Sequence, residues 1–241
     1  MSTRNRGKEG KDDVFFGSEK SRKSIQEAVK DYSYLLTHGF SEKSSLALVG
    51  NRYKLSTRQQ KAVRGMSESS ERLLTREAKR IEITDLRNQT VIIDGFNLLI
   101  LLESALSGAY VFKGLDGCYR DLSSVQGTYK RVNQTQRAIQ LVAEFLASQK
   151  VAKTIWVFDK PVSNSGRLKQ MLQEFAEEHN YPWEVLLKDR TDHFLGESEY
   201  VVISSDSWVL DQSKCWFNLA GIIIEKHLSK PNVVNSNNHL K

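Results

Sequence analysis

Three apolar runs in this chain each end on an aspartate. Val91-Ile92-Ile93 leads into Asp94, Thr154-Ile155-Trp156-Val157-Phe158 into Asp159, and Tyr200-Val201-Val202-Ile203-Ser204-Ser205 into Asp206. Runs of β-branched and aromatic residues read as strands, so each delivers a carboxylate at a strand's C-terminal end. In open α/β sheets that edge is where ligands bind. Carboxylates gathered there cannot all stay ionised without compensation. The compensation that suits them is a hard divalent cation, Mg²⁺ or Mn²⁺. Gly95 lets the backbone turn tightly or a ligand approach. Asn97 follows about one helical turn later, where its amide can orient Asp94 or a bound water. Asp211, just beyond Asp206, is a candidate fourth ligand or supporting group.

Each aspartate also has a plainer reading. Asp206 sits at a strand-to-helix junction and can simply cap the helix that carries Trp208 to Asp211. Asp159 can be a turn residue before Lys160-Pro161. Asp94 resists such a reading, because Asp-Gly after a buried strand puts a carboxylate at a pocket.

The elements that must position these groups alternate. The pattern predicts a strand over 90–94, a helix over 97–106, a strand or loop near 110–113, a glycine-punctuated loop over 114–127 and a helix over 129–149. A strand over 154–158, a helix over 165–179 and strands over 183–187 and 200–204 follow. A short helix from about 206, a strand over 221–224 and a final helical turn complete it. Alternating strands and helices imply an α/β fold with a mostly parallel sheet flanked by helices. A small all-α domain is expected in front of it. Ile25, Ala28, Val29, Tyr32, Leu35 and Leu36 recur at helical spacing. Ser41 is placed to cap a second helix, and Ser56 with Gln59 reads as a capping box opening a third. A fourth, basic helix is expected from about Ser67 to Arg80. The domain expectation is a disordered basic tail over 1–20, a helical domain over 21–86, an α/β domain over 87–230 and a flexible tail over 231–241.

Charge divides along the same line. Residues 1–90 carry 19 Lys and Arg against 12 Asp and Glu, while the remaining 151 carry 16 against 17, within a net charge of +6. A basic front end joined to a carboxylate-bearing back end suits a polyanionic substrate; the bland alternative is a solvated basic surface. Arg52, Lys54, Arg58, Lys61 and Arg64 concentrate in a helix-connection-helix stretch compatible with helix-turn-helix-like nucleic-acid contact. Between the later elements, Tyr119 and Arg120 are types that stack on a base and bind phosphate, and Lys130 and Arg131 extend that track. Indoles and a phenyl ring at Trp208, Trp216 and Phe217 sit among aliphatic residues and read as core rather than as stacking groups.

Several classes are disfavoured. Cys118 and Cys215 lie far apart and the five histidines are scattered, so neither a zinc site nor a disulfide framework is indicated. The charged N-terminus is neither a secretory signal nor a lipidation site. No apolar run approaches the ~20 residues of a membrane span. The expectation is a cytoplasmic protein with no membrane partner, and a homodimer is compatible with these features. There is no Gly-x-Gly-x-x-Gly or Walker sequence. Phe96 stands where haloacid-dehalogenase chemistry wants a second aspartate.

Asp94-Gly95-Phe96-Asn97, Val157-Phe158-Asp159 and Ser204-Ser205-Asp206-Ser207 together resemble the PIN/NYN superfamily of metal-dependent ribonucleases. The resemblance covers about residues 88–228. The whole chain further resembles an uncharacterised prokaryotic family in which a basic helical region, with a signature like Asp31-Tyr32 to Arg58, precedes such a domain. It implies a PIN-like Rossmannoid fold. It makes Asp94, Asp159 and Asp206 catalytic metal ligands for Mg²⁺ or Mn²⁺, with Asn97 and Asp211 in support and the Ser204 hydroxyl near the metal. Many NYN members carry a further aspartate on a Lys-x-x-Asp segment. Lys188-Asp189-Arg190-Thr191-Asp192 is similar, but the helix that usually follows is not evident, which leaves Asp192 open. The function implied is phosphodiester hydrolysis of nucleic acid, RNA ahead of DNA. The alternative is a non-catalytic RNA- or DNA-binding adaptor with a degenerate domain of this type.

Overall fold

A computed structural model of the chain describes residues 6–123 and 129–237. The parts of the expected tails at 1–5 and 238–241, and of the expected loop at 124–128, lie outside the described residues. In chain order the elements are α1 (Asp12–Phe16), α2 (Glu19–Thr37), α3 (Glu42–Arg52), α4 (Thr57–Met66), α5 (Ser70–Lys79), a 3-10 turn (Ile83–Leu86), β1 (Thr90–Asp94) and α6 (Gly95–Leu106). They continue with β2 (Val111–Lys113), β3 (Tyr119–Arg120), α7 (Thr135–Ser148), β4 (Lys153–Asp159), α8 (Ser165–His179) and β5 (Trp183–Lys188). The last are α9 (Thr191–Gly196), β6 (Val201–Ile203), α10 (Ser207–Gln212), α11 (Leu219–His227) and β7 (Val233–Asn235).

The main sheet runs β5-β4-β1-β6 with every pairing parallel. Its strands alternate sides with period two. Val91, Ile93, Trp156, Phe158, Val185, Val201 and Ile203 meet Leu98 to Leu102, Leu168 and Ile223 on one face. Ile92, Ile155, Val157 and Val202 meet Leu195, Val209, Leu210 and Trp216 on the other. Both faces are therefore covered by helices, which is why these strands read as unbroken apolar runs. The chain steps from β1 outward to β4 and β5, then returns across the sheet to β6 on the far side of β1. The β1–β6 boundary is thus the switch point, and in such sheets a crevice opens there at the strands' carboxyl ends.

The helical front end joins this body through a second core. Phe16, Ile25, Val29, Tyr32, Val63 and Met66 pack with Tyr110, Phe112, Leu122 and Val234, which belong to or flank the β3-β2-β7 sheet. The helices start where side-chain oxygens satisfy orphan amides. Ser18, Ser41 and Ser69 each cap a helix, and Ser56 with Gln59 forms the expected capping box.

Three expectations are corrected. Residues 6–20 are ordered rather than a disordered tail: Phe16 is fully buried, Arg6 pairs with buried Glu103 at 2.5 Å, and Asp12 pairs with Arg58 at 2.6 Å. Ile222, Ile223 and Ile224 lie in α11, not in a strand; a short apolar run fits either element, and Asn218 decides it by capping Gly221. The expected frayed tail instead supplies β7, which pairs with β2 and buries Val234. Among the described residues, no helix is long and apolar enough to cross a membrane.

Candidate active site

Asp94 ends β1 and caps α6, its Oδ1 accepting from the Asn97 amide at 3.4 Å. Ile92 faces the α9–α10 side, so by strand alternation Asp94 faces it too. Gly95 is obligatory behind it. A Cβ there would stand 2.2 Å from the Phe158 ring, so only glycine lets α6 start this close to β4. Ser204, at the end of β6, donates its hydroxyl to Asp94 Oδ2 at 2.8 Å and accepts from the Asp206 amide at 3.0 Å. Asn97 has a structural task rather than the expected one of orienting Asp94. Its side-chain oxygen accepts from the Ser205 amide and hydroxyl at 2.9 and 2.8 Å, tying α6 to the turn after β6.

Asp206 caps α10 through Oδ1, bonded by the Trp208 and Val209 amides at 2.9 and 3.1 Å. The capping role and a place in the acidic cluster are compatible, because Asp206's charge is also felt at Asp94. Asp159 ends β4, opposite Lys188 in the β4–β5 register. Val157 lies on the α9–α10 side, so alternation turns Asp159 toward that side as well.

The fourth carboxylate is Asp192. Asp192 lies inside α9, a helix that the sequence pattern does not announce, and this places it close enough to Asp206 and Asp159 to feel their charges. Asp192's carboxyl is raised above its ordinary value by partial burial first and then by the charges of Asp206 and Asp159, with His193 opposing. Asp94 is only 6% exposed, and its carboxyl is pushed up to about 7. Burial is the main cause; the Ser204 hydrogen bond opposes it, and the charges of Asp206 and Asp192 add to it. Asp94 therefore senses Asp206 and Asp192, and Asp192 senses Asp206 and Asp159, across the β6-β1-β4 edge. Among the described residues, no three His, Cys, Asp or Glu side chains stand close enough to hold an ion as they lie.

This environment sets a sign for stability against pH. Asp94 titrates near 7 when folded and near 3.8 when unfolded. The folded state is then free of the charge-burial penalty below about pH 4 and carries it fully above about pH 7. We expect the cation-free protein to lose on the order of a few kcal/mol from this group between those limits. Urea unfolding of wild type and Asp94→Asn across pH measures it; a difference between the two that does not change with pH would show that Asp94 is not desolvated.

Other predicted site residues are diverted to structure. Asp211 does not join the cluster: its carboxylate pairs with Arg76 at 2.6 Å. Arg76, 1% exposed, also holds Asp116 at 2.9 Å and Glu68 at 2.5 Å. Arg120 is clamped on Asp116 by two bonds of 2.9 and 2.6 Å, so its charge is already matched. It still reaches Ser207 Oγ at 3.3 Å and is close enough to Asp206 to feel its charge. Asp116's carboxyl is held below the usual range: burial pushes it up, but the guanidiniums of Arg120 and Arg76 outweigh that. Tyr119 is buried and donates to Glu225 at 2.8 Å, so it offers no face to a base. Cys118 is buried, which pushes its thiol up and away from nucleophilic use.

Among the basic residues of the helical region, Arg58 is a core clasp, bonded to Asp12, Glu9 and the Gly7 carbonyl. Lys61 donates to the Leu122 carbonyl at 3.1 Å. Arg52 stands 3.3 Å from Asp31, and Arg64 stands 3.7 Å from Glu42; both are largely exposed. Lys54, Lys130 and Arg131 are exposed, the last two ahead of α7 rather than in it. Trp216 and Phe217 are buried as expected, but Trp208 is 41% exposed, against the expectation of core packing.

Residues 83–222 match the family described as Domain of unknown function (DUF5616), and residues 24–79 match the one described as Protein of unknown function (DUF434). An uncharacterized protein of Methanocaldococcus jannaschii is 32% identical over 187 residues, covering 78% of this chain and 89% of the relative. No solved structure matches the chain. The chain belongs to the DUF5616 family.

Proposed function

We propose that this chain is a metal-dependent phosphodiesterase that hydrolyses nucleic acid, RNA ahead of DNA, on a PIN/NYN-like scaffold. The observation that carries the reading is the buried Asp94 carboxyl, raised to about 7 beside Asp206 and Asp192 at the switch point of a parallel sheet. Strongly perturbed acids in a cleft, shifted by burial and by specific neighbouring charges, are candidates for functional sites.

The donor set fits a hard cation. Asp94, Asp159, Asp192 and Asp206 offer anionic oxygen, which suits Mg²⁺ or Mn²⁺. Without a counter-ion, burial first and the charges of Asp206 and Asp192 after it favour the neutral form of Asp94. These four residues would hold the ion. A divalent cation supplies an activated water at neutral pH and charge neutralisation at the phosphoryl oxygens. The chain's own residues do the rest. Ser204 holds Asp94 Oδ2 in place, and Asn97 locks the turn that carries Asp206. Asp94 is the carboxylate whose buried charge a bound cation would offset. Lys188, at the same edge opposite Asp159, and exposed Arg190 supply positive charge for a phosphate backbone. Arg52, Lys54, Arg64, Lys130 and Arg131 extend the field over the surface.

A second reading has one observation in its favour. The acidic groups do not converge three at a time, as a degenerate site would not. That reading is a nucleic-acid-binding adaptor that never cuts.

The two separate on labelled single-stranded and structured RNA incubated with Mn²⁺, Mg²⁺ or EDTA. We expect cutting with either cation and none in EDTA. Salt-sensitive binding without cutting under any condition would sink the nuclease and leave the adaptor.

A further inference from the structure

We infer that Trp208 and His193 form a nucleobase platform beside the carboxylates, an inference that rests on the nuclease reading and specifies how a single-stranded RNA substrate is held. Trp156 and Trp216 are fully buried, whereas Trp208 presents 41% of its surface. The Trp208 amide donates to Asp206 at 2.9 Å, which places the backbone that carries the indole next to that carboxylate. Below it lies α9: a Cβ on Gly196 would stand 3.3 Å from the indole Cζ3 and 2.8 Å from Gln212 Cβ, so the two helices meet here without intervening side chains. The His193 ring packs against its side, 4.7 Å between centroids and tilted by 58°. His193 directly follows Asp192 in sequence, and Asp192 senses both Asp206 and Asp159.

The aromatic pair therefore sits on the same two short helices that bring Asp192 and Asp206 to the acidic edge. On α9, Phe194 is also partly exposed, with the Lys188 ammonium 4.1 Å from its ring centre. The rim thus carries flat apolar faces and a cation around a phosphate-chemistry centre, which is the composition of a single-strand track. A base adjacent to the phosphate at the carboxylates would lie on the indole face that solvent now covers. A double helix offers no such base, so the platform selects unpaired RNA.

Anisotropy of an end-labelled single-stranded RNA, read in EDTA to prevent cutting, tests this on the full chain with Trp208→Phe and Trp208→Ala. Inorganic polyphosphate of matched charge is the competitor that lacks bases. Trp208→Ala is expected to weaken RNA binding about 5- to 150-fold, the loss of one base stack. Trp208→Phe retains most of the affinity, and polyphosphate competes equally with both variants and wild type for the basic surface. In Mn²⁺, the alanine variant is expected to raise KM with kcat little changed. Unchanged RNA affinity in Trp208→Ala, with cutting intact, overturns the platform and leaves the nuclease standing. Alanine-sensitive binding without cutting in any cation supports the platform and overturns the nuclease. No RNA binding by wild type overturns both.

Discussion

Asp94→Asn is expected to abolish turnover while making the cation-free protein more stable above pH 7. The two effects have one cause. Asp94 is buried at the end of β1, where a negative charge is costly and only a cation offsets it. An amide of the same shape removes the charge; with its oxygen on the Asn97 amide, its NH2 donates to the Ser204 oxygen in place of the bond Ser204 now gives. Turnover is expected to fall at least about a thousandfold, beyond the ~10–100-fold that a partner of a metal ligand costs. Ser204→Ala belongs to that milder range. The stability gain is expected to be absent near pH 4, where wild-type Asp94 is already neutral in the fold, and to grow toward pH 7 and above. Cleavage assays in Mn²⁺ and urea melts in EDTA at pH 4 and 8 give both readings from one pair of proteins. An inactive variant that is also less stable at pH 8 would mean that Asp94 is a structural acid and would remove the main support for the site.

Arg76→Met is expected to be the most destabilising single change in the helical region. Arg76 leaves α5 into a buried position and holds Glu68, Asp116 and Asp211 at once. The Arg76 carbonyl also accepts from the Trp216 indole at 2.7 Å, which docks α5 on the second face of the sheet. Breaking a buried ion pair by removing one partner costs about 3–5 kcal/mol. Asp116 keeps Arg120, so the cost falls mainly on Glu68 and Asp211, which among the described residues retain only the exposed Arg72 at 3.6 and 3.7 Å. In a chain of this size that corresponds to a fall in melting temperature of roughly 6–20 °C. Arg58→Met, which strands Asp12, acts in the same direction. Thermal denaturation followed by circular dichroism measures both. A fall of less than about 2 °C for Arg76→Met would show that Glu68 and Asp211 find water or protons instead.

This network explains why the charge reading over-assigned ligands. Basic residues counted as phosphate contacts divide into exposed ones, such as Arg52, Lys54 and Arg64, and clasps, such as Arg58 and Arg120. Composition counts both alike. Only burial separates them, because a desolvated guanidinium must find carboxylates inside the protein.

Much of the framework was legible in local order. β-branched runs that end in Asp94, Asp159 and Ser204-Ser205-Asp206 specify parallel strands buried on both faces, and period two puts Asp94 and Asp159 on one side. Serine caps at 41 and 56 mark helix starts because they satisfy amides a few residues away. These features rest on contacts within one turn or one strand. The fate of individual charges and rings rests on neighbours far along the chain, and tertiary structure alone decided it. Asp211 turned to Arg76 and Tyr119 to Glu225. Asp192 joined the acidic edge through α9, and Trp208 was left at the surface beside it. A carboxylate's role follows from whether its nearest long-range partner is a guanidinium, which neutralises it, or another carboxylate, which leaves it needing a cation.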